Sequence, residues 1–265
     1  KGYFIKPMSL NTSKKNIALI STRPYEKNIT LFKDIENKNI LLLNYPLTEI
    51  KPLADYSKFD LTLSNLDSYQ HVIFISTNAV HYFAKRIKNL KIKMPNDIIF
   101  SSVGPKTREA LKNQFNINVF CPEENFDSEH LIKNKIFDKL QDKKVLIIRG
   151  TGGRETLKNL LEEKGAKVDY GECYIRNYLQ IEQEKLNREL KNCTAIFILI
   201  SSYGSALHLH QSPGQWIGDY KTKFIVNHKK IELSLRSGHF ESRLEDVIVT
   251  NDLSAKSLWE IIQNN

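Results

Sequence analysis

The chain of 265 residues holds three cysteines, Cys121, Cys173 and Cys193, and no two of them form a C-x-x-C pair. An odd, scattered set argues against a disulfide scaffold or a cysteine zinc site and points to a reducing compartment. Long hydrophobic runs are missing too. The longest wholly apolar stretch, Ala195–Ile200, is far too short to cross a bilayer, and the first residues carry no long apolar segment of the secretory type. A G-x-G-x-x-G fingerprint starting at Gly150 needs a third glycine where the chain has Glu155. There is no G-x-x-x-x-G-K-[ST], no H-E-x-x-H and no G-x-S-x-G. His208 and His210 lie two apart, unlike the i, i+4 pair of a zinc helix, and read as surface residues. With no evident metal, dinucleotide cradle or activated nucleophile, chemistry has to come from orienting and hydrogen bonding a reactive substrate.

What is present is a folded, basic chain. Hydrophobic residues make up 41% and charged residues 26%, which excludes a disordered chain. The length suits one large domain or two small ones. The net charge of +9 favours a polyanionic partner: nucleic acid, a membrane surface, or a small molecule with several carboxylates or phosphates. AT-biased codon usage, which enriches Lys, Asn and Ile together, accounts for the same excess. No helix-turn-helix or basic aromatic stripe supports a nucleic-acid reading.

Short apolar runs recur at Ile17–Ile20, Ile40–Leu43, Val72–Ile75, Ile98–Phe100, Val145–Ile148, Ala195–Ile200, Phe224–Val226 and Val247–Val249. Most lack polar alternation, as strands covered on both faces do, and this predicts parallel sheet. Helical patterns lie between them. Leu157, Leu160 and Leu161 make one apolar face, with Gly165 as its C-terminal cap. Ala255, Leu258, Trp259 and Ile262 make another, with Ser254 at its start. Alternating strands and helices are the α/β signature. The segment 15–50 also echoes 143–175, and 71–83 echoes 195–207, at offsets of 128 (Ile17 against Val145) and 123 (Phe74 against Phe197). Two copies of one α/β unit, as two lobes with a ligand groove, fit this better than a solenoid.

Polar turns follow the apolar runs: Ser21-Thr22-Arg23-Pro24, Ser76-Thr77-Asn78, Gly104-Pro105-Lys106-Thr107, Arg149–Arg154 and Ser201-Ser202-Tyr203-Gly204. Each falls at the carboxyl end of a predicted strand, the edge where open parallel sheets bind ligands. Helix amino termini there present free N–H groups to anions. A single such turn is explained by helix capping alone; five on one edge read as a binding surface.

These turns, taken in order, resemble the uroporphyrinogen-III synthase family: I-S-T-R-P (20–24), F-I-S-T-N-A-V (74–80), V-G-P-K-T (103–107), F-D-S-E-H-L (126–131), V-L-I-I-R-G-T-G-G-R-E-x-L (145–157), E-C-Y-I-R (172–176) and S-S-Y-G (201–204). The resemblance implies an α/β fold of two lobes, each a parallel β-sheet flanked by helices, joined by a two-stranded antiparallel β linker at about 44–52 and 170–180. One lobe comprises 1–45 with 179–265 and the other 46–178. It implies a cytoplasmic monomer without a cofactor, a hydro-lyase that closes the linear tetrapyrrole hydroxymethylbilane with loss of water and inversion of ring D through a spiro intermediate. Its partners are that polycarboxylate and, transiently, hydroxymethylbilane synthase, with no nucleic acid or membrane. Tyr174 matches the family's catalytic linker tyrosine facing the cleft. Arg23, Ser76, Thr77, Asn78, Thr107, Arg149, Ser201, Ser202 and Tyr203 are implied to bind substrate. Arg23 and Arg149 have a second reading, holding their turns through backbone carbonyls, and Asp127 and Ser128 read as helix caps. One departure stands out: where the family has a second G-x-x-T/A turn, after Phe224–Val226, this chain has Asn227-His228-Lys229-Lys230-Ile231. That leaves an inactive or weak tetrapyrrole-binding module as the alternative, with His228 as a candidate substitute donor.

Overall fold

The computed structural model describes residues 16–211, 221–236 and 247–265. In chain order the elements are β1 (Ile17–Ser21), α1 (Ile29–Ile35), β2 (Leu41–Asn44), β3 (Thr48–Pro52), α2 (Ser57–Ser64), β4 (His71–Phe74), α3 (Thr77–Leu90), β5 (Ile99–Ser102), α4 (Pro105–Phe115), β6 (Val119–Phe120), α5 (Ser128–Ile132) and β7 (Lys144–Gly150). There follow α6 (Thr156–Glu163), β8 (Lys167–Tyr178), α7 (Gln183–Leu190), β9 (Ala195–Ile200), α8 (Tyr203–Gln211), β10 (Lys221–Val226), α9 (Lys229–Arg236), β11 (Val247–Val249) and α10 (Ala255–Gln263). Each of the eight apolar runs read from the sequence falls on a strand, and each of those strands lies in a parallel ladder. The fold is the α/β class with parallel sheets flanked by helices.

Two compact units divide the chain at Glu49/Ile50 and at Asn177/Tyr178. The sequence reading put these divisions at 45/46 and 178/179; they fall inside β3 and at the end of β8, the two passages of the chain between units. Residues of the first unit form a five-stranded sheet of order β11-β10-β9-β1-β2. The other sheet has order β3-β8-β7-β4-β5-β6. Pairing β9 with β4, β1 with β7, β2 with β8, β10 with β5 and β11 with β6 superimposes the two orders, leaving β3 over. The internal echo in the sequence is this repeated order.

Both faces of each sheet are covered, and the side chains divide with the strand period of two. In the first unit Ala18, Ile20, Ile196, Ile198 and Ile200 join one core with Leu209 and Leu235, while Leu19, Phe197 and Leu199 join the other with Ile35 and Leu258. In the second unit Val72, Phe74, Leu146 and Ile148 pack with Phe59 and Phe83; Ile73, Val145 and Ile147 pack with Phe137, Leu157 and Leu161. Caps fix where the helices begin and end. Ser254 Oγ accepts from the Ser257 N–H at 3.3 Å, and Asp127 Oδ1 accepts from the His130 N–H at 2.8 Å. Helix α6 stops at Gly165, whose φ of +84° is a conformation that L side chains rarely adopt. Among the described residues no helix is long and apolar enough to cross a membrane.

The sheet edge opposite the polar turns holds a buried titratable group. His71 is 4% exposed, stacks on Phe137 with centroids 5.4 Å apart, and its Nδ1 has no hydrogen-bond partner among the described residues. Burial, and then the charge of Lys143, lower its pKa from the usual histidine value. The folded chain therefore takes up this proton at a lower pH than the unfolded chain, in which a histidine titrates near about pH 6.5. The stabilisation is present above that pH and is lost as pH falls through it, by at most about 1.4 kcal/mol per pH unit. Denaturant midpoints should decline as pH is lowered from about 7.5 to about 5.5, and His71→Phe should flatten that decline. An equal decline in the variant would remove His71 as the cause.

Candidate functional site

In the unit spanning 50–177, the carboxyl ends of β4, β5, β7 and β8 bring their turns to one edge. Ser76 ends the β4 turn and caps α3, its Oγ accepting from the Ala79 N–H at 3.1 Å. The same Oγ lies 3.1 Å from the Tyr174 hydroxyl, a pair in which either oxygen can donate. Ser76 and Asn78 are partly exposed and Thr77 is exposed. Tyr174 is 1% exposed. Its ring lies beside Tyr82, with centroids 5.6 Å apart, and against Gly150, where an added Cβ would sit 2.7 Å from the tyrosine Cζ. Gly150 is thus the gap into which the ring fits, and this seat sends the hydroxyl toward Ser76. Behind it, burial pushes the Cys173 thiol up to about 12, and its sulfur lies near the Ala79 and Arg149 carbonyls, so it is an inert packing group.

Arg149 holds the turn that follows β7. It is 3% exposed. Its Nε donates to the Gly150 carbonyl at 3.2 Å, Nη1 to the Arg154 carbonyl at 3.4 Å, and Nη2 to the Gly152 carbonyl. Nη1 also meets Glu155 at 3.3 Å, and the guanidinium lies 4.3 Å over the Tyr170 ring. Tyr170 in turn donates to Glu155 Oε2 at 2.6 Å. Burial and that bond push the Tyr170 hydroxyl up to about 12, and the same bond holds the Glu155 carboxyl below its ordinary range.

The other sheet, taken by itself, gathers a second set. After β1, Thr22 Oγ1 donates to the Leu199 carbonyl at 2.9 Å and Ser21 Oγ to Asn28 Oδ1 at 2.9 Å. Asn28, fully buried, gives its amide hydrogens to the Arg23 carbonyl at 3.2 Å and to Asn44 Oδ1. The Arg23 backbone is therefore pinned, while its side chain is part-buried with Nε out of contact with solvent and unpaired among the described residues. After β9, Ser201, Ser202 and Tyr203 are partly exposed. Ser202 Oγ accepts from the Ser205 N–H at 3.4 Å, as a cap of α8. Lys230 places its ammonium 5.4 Å from the centroid of the Tyr203 ring. His228 Nδ1 accepts from the Lys230 N–H at 3.0 Å, so His228 caps the start of α9. Among the described residues no group of three or more His, Cys, Asp or Glu could hold a metal ion.

Relatives of known identity share this architecture. Residues 31–225 match the family profile described as uroporphyrinogen-III synthase HemD, well over half of the chain. This chain belongs to the uroporphyrinogen-III synthase family. The uroporphyrinogen-III synthase of Proteus mirabilis is 26% identical over 182 residues, covering 69% of this chain and 92% of its own. That of Escherichia coli K12 is 22% identical over 251 residues, 93% of this chain and 100% of its own. In fold, the chain is similar to a triple mutant of uroporphyrinogen III synthase from Thermus thermophilus, with TM-score 0.67 at 11% identity over 94% of this chain and all of that one.

Set against the residues implied by the family resemblance, the structure redirects two residues and selects one of the two readings of a third. Tyr174 is packed into the core instead of facing open space, because the Gly150 gap accepts its ring; only its hydroxyl reaches the edge, through Ser76. Arg149 takes the second of its two readings, holding its turn, because it is directed at three carbonyls there. Thr107 is 6% exposed in the first turn of α4, so it packs the helix start and does not line the surface. Ser76, Thr77 and Asn78 share one edge, and Arg23, Ser201, Ser202 and Tyr203 share the edge of the other sheet. Asp127 caps α5 as read from the sequence. His208 bonds the Leu179 carbonyl at 3.0 Å and stacks on Tyr178, while the side chain of His210 lies outside the described residues. Sequence reasoning missed Asn28, whose position ahead of α1 carried a capping signal, and the Tyr170–Glu155 pair, which carried none.

Gly150→Ala should drive the Tyr174 ring off its seat and separate its hydroxyl from Ser76. The expected loss is of the overpacking kind, about 1–3 kcal/mol, read as a lowered denaturation midpoint together with reduced turnover. A variant with both unchanged would show that the ring has room to spare.

Proposed function

We propose that this chain closes hydroxymethylbilane to uroporphyrinogen III as a cofactor-independent hydro-lyase. The observation that carries the reading is the family match over residues 31–225. Two sheets whose polar turns collect at their carboxyl edges, on a chain of net charge +9, suit a substrate with eight carboxylates. We extend the proposal to a cytoplasmic monomer that receives its labile substrate from hydroxymethylbilane synthase.

The chemistry asks little of a side chain and much of the binding surface. The hydroxymethyl hydroxyl takes up a proton and departs as water, which leaves an azafulvenium cation on the first ring; that proton is returned when the closed ring rearomatises. The last ring attacks it through its substituted α-carbon and forms a spiro pyrrolenine. That bond arrangement fragments, and the ring recloses reversed. The pyrroles supply the electrons throughout. The protein must bring the substituted carbon to the cation before the unsubstituted one, and orientation of this kind is worth up to about 7–11 kcal/mol. A hydroxyl donor beside the leaving group completes the requirement.

In this reading the Ser76 hydroxyl, the exposed end of the Ser76–Tyr174 pair, meets the leaving hydroxyl. Tyr174 acts through it as a positioning residue, bonding the serine oxygen at 3.1 Å from a fixed ring. The Tyr174 hydroxyl can donate its hydrogen to the serine oxygen. Thr77 and Asn78 supply further polar contacts from the same turn. In the other unit, taken by itself, the edge that carries Arg23, Ser201, Ser202 and Tyr203 offers polar groups of the kind that carboxylates take. The Arg149 turn shapes its edge without touching substrate.

Purified protein given freshly made hydroxymethylbilane should yield the type III isomer, while a protein-free control gives the symmetric type I isomer. Chromatography of the oxidised products separates them, and a mixture identical to the control would end the assignment. Tyr174→Phe should lower kcat about tenfold with KM little changed, at a stability cost of about 1 kcal/mol for the lost hydrogen bond. Ser76→Ala should lower kcat at least as far. If Tyr174→Phe turns over at the parental rate, the tyrosine is packing alone.

A further inference from the structure

The carboxyl edge of the unit-one sheet carries two buried polar atoms with no hydrogen-bond partner among the described residues. Arg23 Nε, a donor, and Asn227 Oδ1, an acceptor, are both sealed from solvent and lack a hydrogen-bond partner among the described residues. Native chains satisfy nearly all such atoms, so an unpaired one asks for a cause. Their positions are related. Ser21 and Ile225 both pair with Leu199, and Val226 pairs with Ile200. The Thr22 N–H continues this register by bonding the Leu199 carbonyl at 3.1 Å. One step further, just past the ends of the three strands, come Arg23, Ser201 and Asn227. The orphan donor and the orphan acceptor thus stand on one row at the carboxyl edge, on either side of β9. With strands spaced about 4.8 Å, their backbones are about 10 Å apart. Ser201, between them, is partly exposed, so the row is open at its centre.

We infer that Arg23 and Asn227 together grip one substituted pyrrole ring of the substrate, Arg23 by a side-chain carboxylate and Asn227 by the ring N–H. The inference rests on the proposed function and names which group of the substrate each residue takes. A substituted pyrrole of this substrate presents anionic carboxylates on its side chains and one N–H donor on the ring itself. That is the complement of the row: one cationic donor and one neutral acceptor. Arginine donates to a carboxylate through a charge-assisted bond. Asparagine accepts from a neutral N–H without repelling the neighbouring carboxylates, as an acidic residue would. The Lys230 ammonium, standing over Tyr203 on the next helix, keeps the local potential positive. The segment 227–231, which lacks the glycine and small hydroxyl that the family resemblance implied, on this account offers a side-chain acceptor at its first position.

The test uses uroporphyrinogen I, which has the same rings and carboxylates and is not a substrate, titrated calorimetrically into the whole protein under reducing conditions. Arg23→Gln and Asn227→Leu should each weaken binding about tenfold, the scale of one hydrogen bond that involves or neighbours charge. Added salt should shrink the Arg23→Gln effect and leave the Asn227→Leu effect in place. Because Asn227 Oδ1 has no protein partner among the described residues, replacing it by leucine should hold or raise the melting temperature. A lowered melting temperature with unaltered binding would make Asn227 a structural residue and overturn the inference. So would wild-type affinity in either variant, or failure of the wild type to bind the probe. Type III formation from hydroxymethylbilane, assayed separately, reports on the proposed function: a chain that makes type III but ignores both substitutions loses this inference alone.

Discussion

A parallel ladder leaves both faces of its strands in need of cover, and in this chain helices supply it on each side of each sheet. Ile196, Ile198 and Ile200 turn to one core while Phe197 and Leu199 turn to the other. Because every parallel pair requires a crossover connection, each strand must leave the sheet at its carboxyl end and enter a helix or loop. The polar turns are a consequence of this single constraint. They gather on one edge whether or not they bind anything, and that gathering is what makes the edge available for binding.

The two sheets use the edge differently. In the unit spanning 50–177, one arginine and one glycine are committed to shape. Arg149 stitches the turn after β7, and Gly150 leaves the gap that receives the Tyr174 ring. The hydroxyl of a buried tyrosine is thereby held against an accessible serine. In the other unit the stitching falls to Asn28, which bonds Ser21, the Arg23 carbonyl and Asn44. With the backbone held by asparagine, the Arg23 guanidinium is not consumed by its own turn. The same residue type at neighbouring points of the two edges therefore serves structure in one unit and keeps an Nε unpaired among the described residues in the other.

The family reaction matches such a scaffold. Hydroxymethylbilane carries its own electrons and leaving group, so the enzyme has no need of a strong base, a nucleophile or a metal at the bond being made. What it must impose is order: which carbon of the last ring arrives first. Hydroxyls, amides and a guanidinium held in short turns at strand ends can impose that, because the rigid strands fix where those turns begin.

Much of this was legible in the sequence, since it depends on local pattern. Unbroken Ile- and Val-rich runs announced strands covered on two sides, Gly165 and Ser254 marked helix ends, and the echo at offsets of 128 and 123 anticipated the shared strand order. The turns that carry Ser76, Thr77 and Asn78 could be placed at the carboxyl edge of the sheet for the same reason. Direction and burial of single side chains could not. That Tyr174 points inward depends on an empty space at Gly150, that Arg149 is spent depends on where the carbonyls of 150–154 turn, and that Arg23 and Asn227 share a row depends on the register of three strands far apart in the chain. Local propensity is written in neighbouring residues, so composition and period alone determined the fold class, the caps and the edge. Which polar group meets a partner and which is left over is decided by contacts between distant segments, and only the tertiary structure settled that.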